Sequence, residues 1–319
     1  MEREILNLIE KSSNVLIITH VNPDGDTLGC ASALKSYIGK KADILLQIND
    51  NSNFPTTYYF LPHIKEALNF SSLQDKYDQD KYNLIIAVDC ASKDRIIAHA
   101  REIFDNCPNT IVIDHHKTNK GYGKINYIKG GISSTAEVLF EILKDNLTKE
   151  IATGLYVGIL TDTGCFKYES TTDKTLNIAK KLYECGINIS EIADLCYTNK
   201  PKNMILFQSY LVSNAKFICN DKIAYTLIPF EIQDKFKASD EYTEGIVETL
   251  RSIRGVEIAF VLKETKFGMK VSIRTKEIDA TKIVSKFNGG GHKRAAGCTI
   301  KEKLMPALDL LIKEAVKLI

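Results

Sequence analysis

Tryptophan is missing from this chain of 319 residues, and proline occurs only seven times. No two of its eight cysteines form a Cys-x-x-Cys pair, so neither a zinc site nor a dithiol redox motif is supported. Cys30, Cys90, Cys107, Cys165, Cys185, Cys196, Cys219 and Cys298 read instead as reduced, small apolar fillers. No apolar run approaches a membrane span, and the start, Met1-Glu2-Arg3-Glu4-Ile5-Leu6, lacks the apolar region of a signal peptide. A cytoplasmic protein without a membrane partner is expected. The formal net charge of +2 is too small for a broad nucleic-acid-binding surface, so an anionic ligand has to be recognised locally. Internal repeats and low-complexity tracts are also absent.

What is present is an ordinary globular composition, 44% hydrophobic and 26% charged, long enough for two domains with separate cores. Glu2 to Lys11 has amphipathic helical spacing, and Val15 to Thr19 is a short apolar run that reads as a buried strand. Helical spacing returns from Leu28 to Ile38 and stops at Gly39; Ile44 to Ile48 is a second strand. Asn49 to Asp80, polar and aromatic with Pro55 and Pro62, is the least legible stretch of this half. Leu84 to Val88 and Thr110 to Ile113 repeat the pattern of an apolar strand ending on acids or histidines. Strand, polar turn and helix in alternation predict an α/β fold with a doubly wound, mainly parallel sheet. Its carboxyl edge gathers His20, Asp24, Asp26, Asp89, Asp114, His115 and His116.

Ile132-Ser133-Ser134-Thr135-Ala136-Glu137 opens a helix through Leu143, with Ser133 or Ser134 as N-cap and Glu137 near the capping-box position. Ile151 to Leu160 is helical and runs into Thr161-Asp162-Thr163-Gly164. Thr175 to Ser213 is helical and more polar, broken by Gly186 and Pro201. Strands then follow at Ala224 to Ile228, Val256 to Leu262 and Met269 to Arg274, with a helix at Asp279 to Lys286. A glycine-rich turn, Asn288 to Gly297, leads to a strand at Cys298 to Ile300 and a helix from Leu304 to Ile319. The expected boundaries are 1–186 for a first domain that carries these acids and histidines, 187–213 for a helical linker and 214–319 for a smaller α/β domain.

Imidazoles and carboxylates crowded at matching strand and helix ends need compensating charge. Two divalent cations supply it, and paired ions are a recurring device for hydrolysing phosphate esters. Hard oxygen donors mixed with imidazole suit manganese or a similar ion.

In its motifs the sequence resembles the DHH phosphoesterases. His20-x-x-x-Asp24-x-Asp26, Asp89, Asp114-His115-His116 and Asp162 match the family's four motifs in order, and Gly289 to Gly297 matches the Gly-Gly-Gly-His block of the DHH-associated C-terminal domain. The build looks like that of the bacterial nanoRNases within the family. The resemblance implies that His20, Asp24 and Asp89 hold one manganese ion, and that Asp26, Asp89, His115 and Asp162 hold another. His116 would then donate to a phosphate oxygen and Asp114 would orient an imidazole. Gly290, Gly291 and His292 would close over the same crevice, with Arg274 and Arg294 gripping a terminal phosphate. The implied substrates are short RNA oligonucleotides, cut to nucleoside 5′-monophosphates, and 3′-phosphoadenosine 5′-phosphate. A homodimer is compatible with the resemblance, but no interface can be read from periodicity.

Each residue has a plainer rival reading. Asp24 or Asp26 caps a helix, Asp-His-His forms a hydrogen-bonded turn, and Thr-Asp-Thr-Gly is an ordinary helix end. Ser133, Ser134 and Thr135 either cap a helix or seat a phosphate. Arg274 and Arg294 are solvated surface charges, and Tyr168 is either core or a stacking platform for a base. The same motifs serve cyclic-dinucleotide phosphodiesterases and polyphosphate-cleaving enzymes, and a non-catalytic nucleotide sensor is the alternative of a different class.

Overall fold

The computed structural model describes residues 1–48, 56–69 and 81–319, so the poorly legible stretch from Asn49 to Asp80 lies largely outside the described residues. The chain forms two compact units, Met1–Asn199 and Lys200–Ile319.

In the first unit, α1 (Glu2–Lys11), β1 (Val15–Ile18), α2 (Gly25–Ile38), β2 (Ala42–Leu45) and β3 (Leu84–Val88) lead to α3 (Ala98–Asn106). There follow β4 (Thr110–Asp114), β5 (Ile125–Ile128), α4 (Thr135–Leu143), α5 (Lys149–Asp162), α6 (Asp173–Glu184) and α7 (Ile189–Tyr197). The five strands are ordered β2-β1-β3-β4-β5, and every pairing is parallel. Alternation along β1 divides its side chains between two cores. Val15 and Ile17 pack with the apolar faces of α1, α2, α4 and α5, whereas Leu16 and Ile18 pack with Ala100, Ile103 and Phe104 of α3. The sheet is thus covered on both faces, as the continuous apolar runs require. Because β2 and β3 lie on opposite sides of β1, the order of the strands reverses there. Loops leaving β1 and β3 diverge at such a point and open a crevice at the carboxyl edge.

Close contact of α2 with α5 completes the placement of the acidic residues. Gly29 and Gly154 meet backbone to backbone: a Cβ on Gly29 would collide with the Gly154 carbonyl oxygen, and one on Gly154 would lie 2.5 Å from the Gly29 carbonyl oxygen. One turn along, a Cβ on Gly158 would lie 2.5 Å from Asp26 Oδ1 and 2.6 Å from the Ala136 Cβ. Paired Gly-x-x-x-Gly spacings, Gly25 with Gly29 and Gly154 with Gly158, carry this crossing, and sequence reading overlooked them.

The second unit comprises α8 (Lys202–Ser213), β6 (Lys216–Ile218), β7 (Ile223–Ile228), α9 (Phe230–Phe236), α10 (Ile246–Ser252), β8 (Ile258–Thr265) and β9 (Gly268–Thr275). It ends with α11 (Thr281–Val284), β10 (Gly290–His292), β11 (Ala295–Ile300) and α12 (Leu304–Val316). Its sheet is ordered β10-β11-β9-β8-β7-β6, antiparallel except for the pair β7 and β8. The glycine-rich segment expected as a turn is a hairpin, with Gly290, Gly291 and His292 paired to Gly297, Ala296 and Ala295. Residues 187–213, read as a linker, are divided between the units, with α7 in the first and α8 in the second.

Replacing Gly154 with alanine should gain about 1 kcal/mol in helix propensity but cost about 1–3 kcal/mol in overpacking against α2. Urea unfolding should show a net loss of stability. A neutral or stabilised variant would contradict the backbone contact.

Candidate active site

At the end of β1 the chain turns into α2, and three polar residues there, His20, Asp24 and Asp26, take different tasks. His20 is buried, with Nδ1 2.9 Å from the Val21 carbonyl oxygen and Nε2 3.5 Å from both Asp24 Oδ2 and Asp89 Oδ2. Asp24 is the N-cap of α2, its Oδ1 accepting from the backbone N–H groups of Asp26 (3.1 Å) and Thr27 (3.3 Å). Capping therefore occupies one oxygen and leaves the other facing the imidazole, so the two readings of Asp24 coexist. Asp26, wholly buried, accepts from the N–H groups of Thr135 (2.6 Å, at Oδ2) and Ala136 (2.9 Å, at Oδ1). Those bonds decide between the two readings of this helix start: the amino end of α4 is filled by a carboxylate of the protein and is not a vacant phosphate seat.

Asp89 lies at the centre. It follows β3 in the left-handed backbone region, φ 58°, where short polar residues are tolerated and strain gathers at functional sites. Its Oδ1 accepts from Thr135 Oγ1 at 2.8 Å and lies 3.7 Å from His115 Nε2, while Oδ2 faces His20. His115 turns Nδ1 to the Ile132 carbonyl oxygen at 3.1 Å and Nε2 to Asp162 Oδ2 at 3.3 Å. His116 instead binds Asp114 through Nδ1 at 2.8 Å, and Asn119 donates to the second oxygen of Asp114 at 2.6 Å. Asp162 ends α5 as the sequence indicated.

Among the described residues, three sets of donors converge closely enough to share an ion: His20, Asp24 and Asp89; Asp26, His115 and Asp162; and Asp89, His115 and His116. Both His20 and His115 place Nε2 among carboxylates with a backbone carbonyl behind Nδ1, which is the outer support that metal-bound imidazoles receive. The donor chemistry, imidazole plus hard oxygen, fits a divalent cation of the manganese type.

Electrostatics agree. Burial disfavours charge on His20, but Asp24 and Asp89 outweigh it and push the pKa up to about 10. Desolvation likewise opposes the charge of Asp24, yet His20 and the backbone N–H groups hold it down to about 2. Burial, then the neighbouring carboxylates, raises Asp26 and Asp162 well above the ordinary carboxylate range. In the Asp114–His116 pair, burial works against both charges and the mutual hydrogen bond prevails, lowering the acid and raising the base.

The remaining candidates lie in the second unit, on neighbouring strands at one end of its sheet. His292, Ala295 and Arg274 occupy one row of the register, Gly290 and Gly291 precede on β10, and Arg294 is in the hairpin turn. Arg274 Nε is 2.8 Å from Glu248 Oε1, and Arg294 Nη2 is 3.4 Å from Glu277 Oε1.

The cap reading of this helix start holds, at Ser134, while other readings change. Ser134 is the cap of α4, accepting from the Glu137 N–H at 3.1 Å. The Glu137 carboxylate does not complete a capping box; it binds Ser133 Oγ (2.6 Å) and Thr175 Oγ1 (3.0 Å). Tyr168 is not core, being 45% exposed over Gly164. Two contributors were not anticipated from sequence. The Thr135 hydroxyl binds Asp89, although the residue was visible as part of a cap signal. Arg95 Nη2 lies 3.1 Å from His20 Nδ1 and had no motif to mark it.

Known proteins resemble the chain along most of its length. Residues 14–159 match the model of the DHH family N-terminal domain, and residues 220–318 match the DHHA1 domain. A Thermus thermophilus protein named bifunctional oligoribonuclease and PAP phosphatase NrnA is 29% identical over 311 residues, covering 93% of this chain and 87% of the relative. The Bacillus subtilis protein of the same name is 25% identical, covering 98% and 99%. An exopolyphosphatase-related protein from Bacteroides fragilis has the same fold, with a TM-score of 0.91 at 26% identity over 99% of this chain and 95% of that one.

Because Asp24 and Asp89 favour the charged form of His20, a cation taking Nε2 is expected to displace a proton. Calorimetric titration with manganese at about pH 7.5, in buffers of different ionisation enthalpy, should register release of about one proton or more. Affinity should rise with pH by up to about tenfold per unit for each proton displaced. Binding without proton release would refute this picture of His20.

Proposed function

The chain belongs to the DHH family of phosphoesterases, with a DHHA1 domain in its second unit, and we propose that it hydrolyses short oligoribonucleotides to nucleoside 5′-monophosphates and removes the 3′-phosphate of 3′-phosphoadenosine 5′-phosphate. The observation that carries the reading is the pair of donor sets, His20–Asp24–Asp89 beside Asp26–His115–Asp162, in a chain similar over nearly its whole length to proteins named for these activities. On this reading the protein works in the cytoplasm, and a homodimer is compatible with it.

We assign His20, Asp24 and Asp89 to one manganese ion, and Asp26, Asp89, His115 and Asp162 to a second. When bound, such ions supply Lewis-acid charge against the phosphoryl oxygens and lower the pKa of the attacking water. The protein's own groups do the rest. Asp114 holds the Nδ1 proton of His116 and favours the imidazolium, so that Nε2 donates to a non-bridging phosphate oxygen as charge builds there. Asn119 fixes the second oxygen of Asp114, which keeps the imidazole ring in one orientation. Gly290, Gly291, His292, Arg274 and Arg294 are the proposed contacts from the second unit. Glycine backbone approaches a phosphate closely, and a guanidinium fork matches its oxygens. Arg274 and Arg294 then exchange the carboxylates of Glu248 and Glu277 for phosphate.

Dinucleotides, longer RNAs, 3′-phosphoadenosine 5′-phosphate, cyclic dinucleotides and polyphosphate should be compared side by side with manganese. Dinucleotides and the bisphosphorylated adenosine should be turned over fastest. Preference for polyphosphate or cyclic dinucleotides would transfer the protein to another branch of the family, and nucleotide binding without product would make it a sensor.

Two variants test the roles. His116→Gln should lower kcat by about 10²- to 10⁴-fold while leaving metal binding intact. Asp89→Asn tolerates the left-handed backbone but removes the shared charge, and should lose both metal binding and activity without unfolding. Manganese-dependent turnover at the wild-type rate in Asp89→Asn would defeat the assignment.

A further inference from the structure

Thr135 is wholly buried at the first position of α4 and touches acids from two different parts of the chain. Its backbone N–H donates to Asp26 Oδ2 at 2.6 Å, and its hydroxyl donates to Asp89 Oδ1 at 2.8 Å. Asp26 stands in the Asp26–His115–Asp162 set and Asp89 in the His20–Asp24–Asp89 set, where it is the proposed shared ligand, so a single residue ties the two sets together. We propose that Thr135 is a positioning residue that sets the register of the two cation sites before any ion arrives. The inference rests on reading the acidic cluster as a divalent-cation centre.

Asp89 needs such a partner for two reasons. Its left-handed backbone takes it out of the regular direction of β3, so the strand alone does not aim the carboxylate. Neighbouring acids repel it, and a hydrogen bond to one oxygen opposes rotation of the side chain away from them. The Thr135 hydroxyl proton goes to Oδ1, the oxygen on the side of His115, which leaves Oδ2 facing His20. Each oxygen of Asp89 is thereby presented to a different imidazole, as a shared ligand requires. A branched Cβ restricts χ1 and keeps the hydroxyl in place. The adjacent hydroxyl does different work: Ser134 Oγ accepts from the Glu137 N–H, and no bond to either acid is found among the described residues. Neighbouring residues of one helix start thus separate capping from carboxylate positioning.

Thr135→Val keeps the shape and removes the hydroxyl, Thr135→Ser keeps the hydroxyl, and Ser134→Ala removes the cap alone. Metal-stripped proteins should be titrated with manganese by calorimetry, with thermal unfolding and steady-state kinetics on a dinucleotide in parallel. Thr135→Val should bind manganese about 10–100-fold more weakly, in the range found for the outer partners of metal ligands. Its kcat should fall more than its KM changes, and Thr135→Ser should recover most of the affinity. Ser134→Ala should lower the melting temperature without that loss of affinity. Wild-type affinity in Thr135→Val, or an equal loss in Ser134→Ala, would overturn the proposal. If the valine variant does not fold, Thr135→Ala against Thr135→Ser makes the same comparison. Metal affinity is read without substrate, so a wrong substrate class leaves the test intact, whereas a wild-type protein that binds no cation defeats the centre itself.

Discussion

Mutual repulsion of carboxylates in a confined crevice is the constraint on which this structure depends. Asp24, Asp26, Asp89, Asp114 and Asp162 meet at the carboxyl edge of one parallel sheet, where burial and each other's charge push Asp26 and Asp162 toward the neutral form. The protein opposes that pressure with fixed dipoles and protons. The amino end of α4 takes both oxygens of Asp26, the first turn of α2 takes one oxygen of Asp24, and His116 pairs with Asp114. These partners hold the acids together without cancelling their demand for positive charge. What the fold leaves uncompensated is the part suited to divalent cations.

Glycine is the second requirement. Had α2 and α5 crossed at the separation that ordinary side chains impose, Asp26 and Asp162 could not both reach His115. The contact of Gly29 with Gly154, and of Gly158 with Asp26, trades helix propensity for proximity. Stability and site geometry are therefore coupled along one helix pair.

Much of this was legible in the sequence because the informative residues announce themselves. Continuous apolar runs that stop on an acid or histidine gave β1, β3 and β4 to within a residue or two, and their matching ends collected His20, Asp89 and Asp114. Ordered motifs supplied Asp162, which looks locally like any helix terminus. The short edge strands β5 and β6 escaped notice because they are half-exposed and lack a continuous apolar signal. The hairpin at Gly290 was read as a turn because glycine is the usual mark of one. Thr135 and Arg95 show the harder limit. Their significance lies in contacts with Asp89 and His20, and such long-range pairings leave no trace in local spacing.

The order in which these groups occur along the chain bears on biosynthesis. His20, Asp24 and Asp26 leave the ribosome first, Asp89 and His115 follow, and Asp162 comes last, at the end of α5. Until α4 and α5 have been made, Asp26 has neither its helix start nor its opposite helix, and the nascent acids face only water and one another. Domains generally fold as units during synthesis. The donor constellation is therefore complete only once α5 has been synthesised, so it belongs to the finished first unit and not to any shorter part of it.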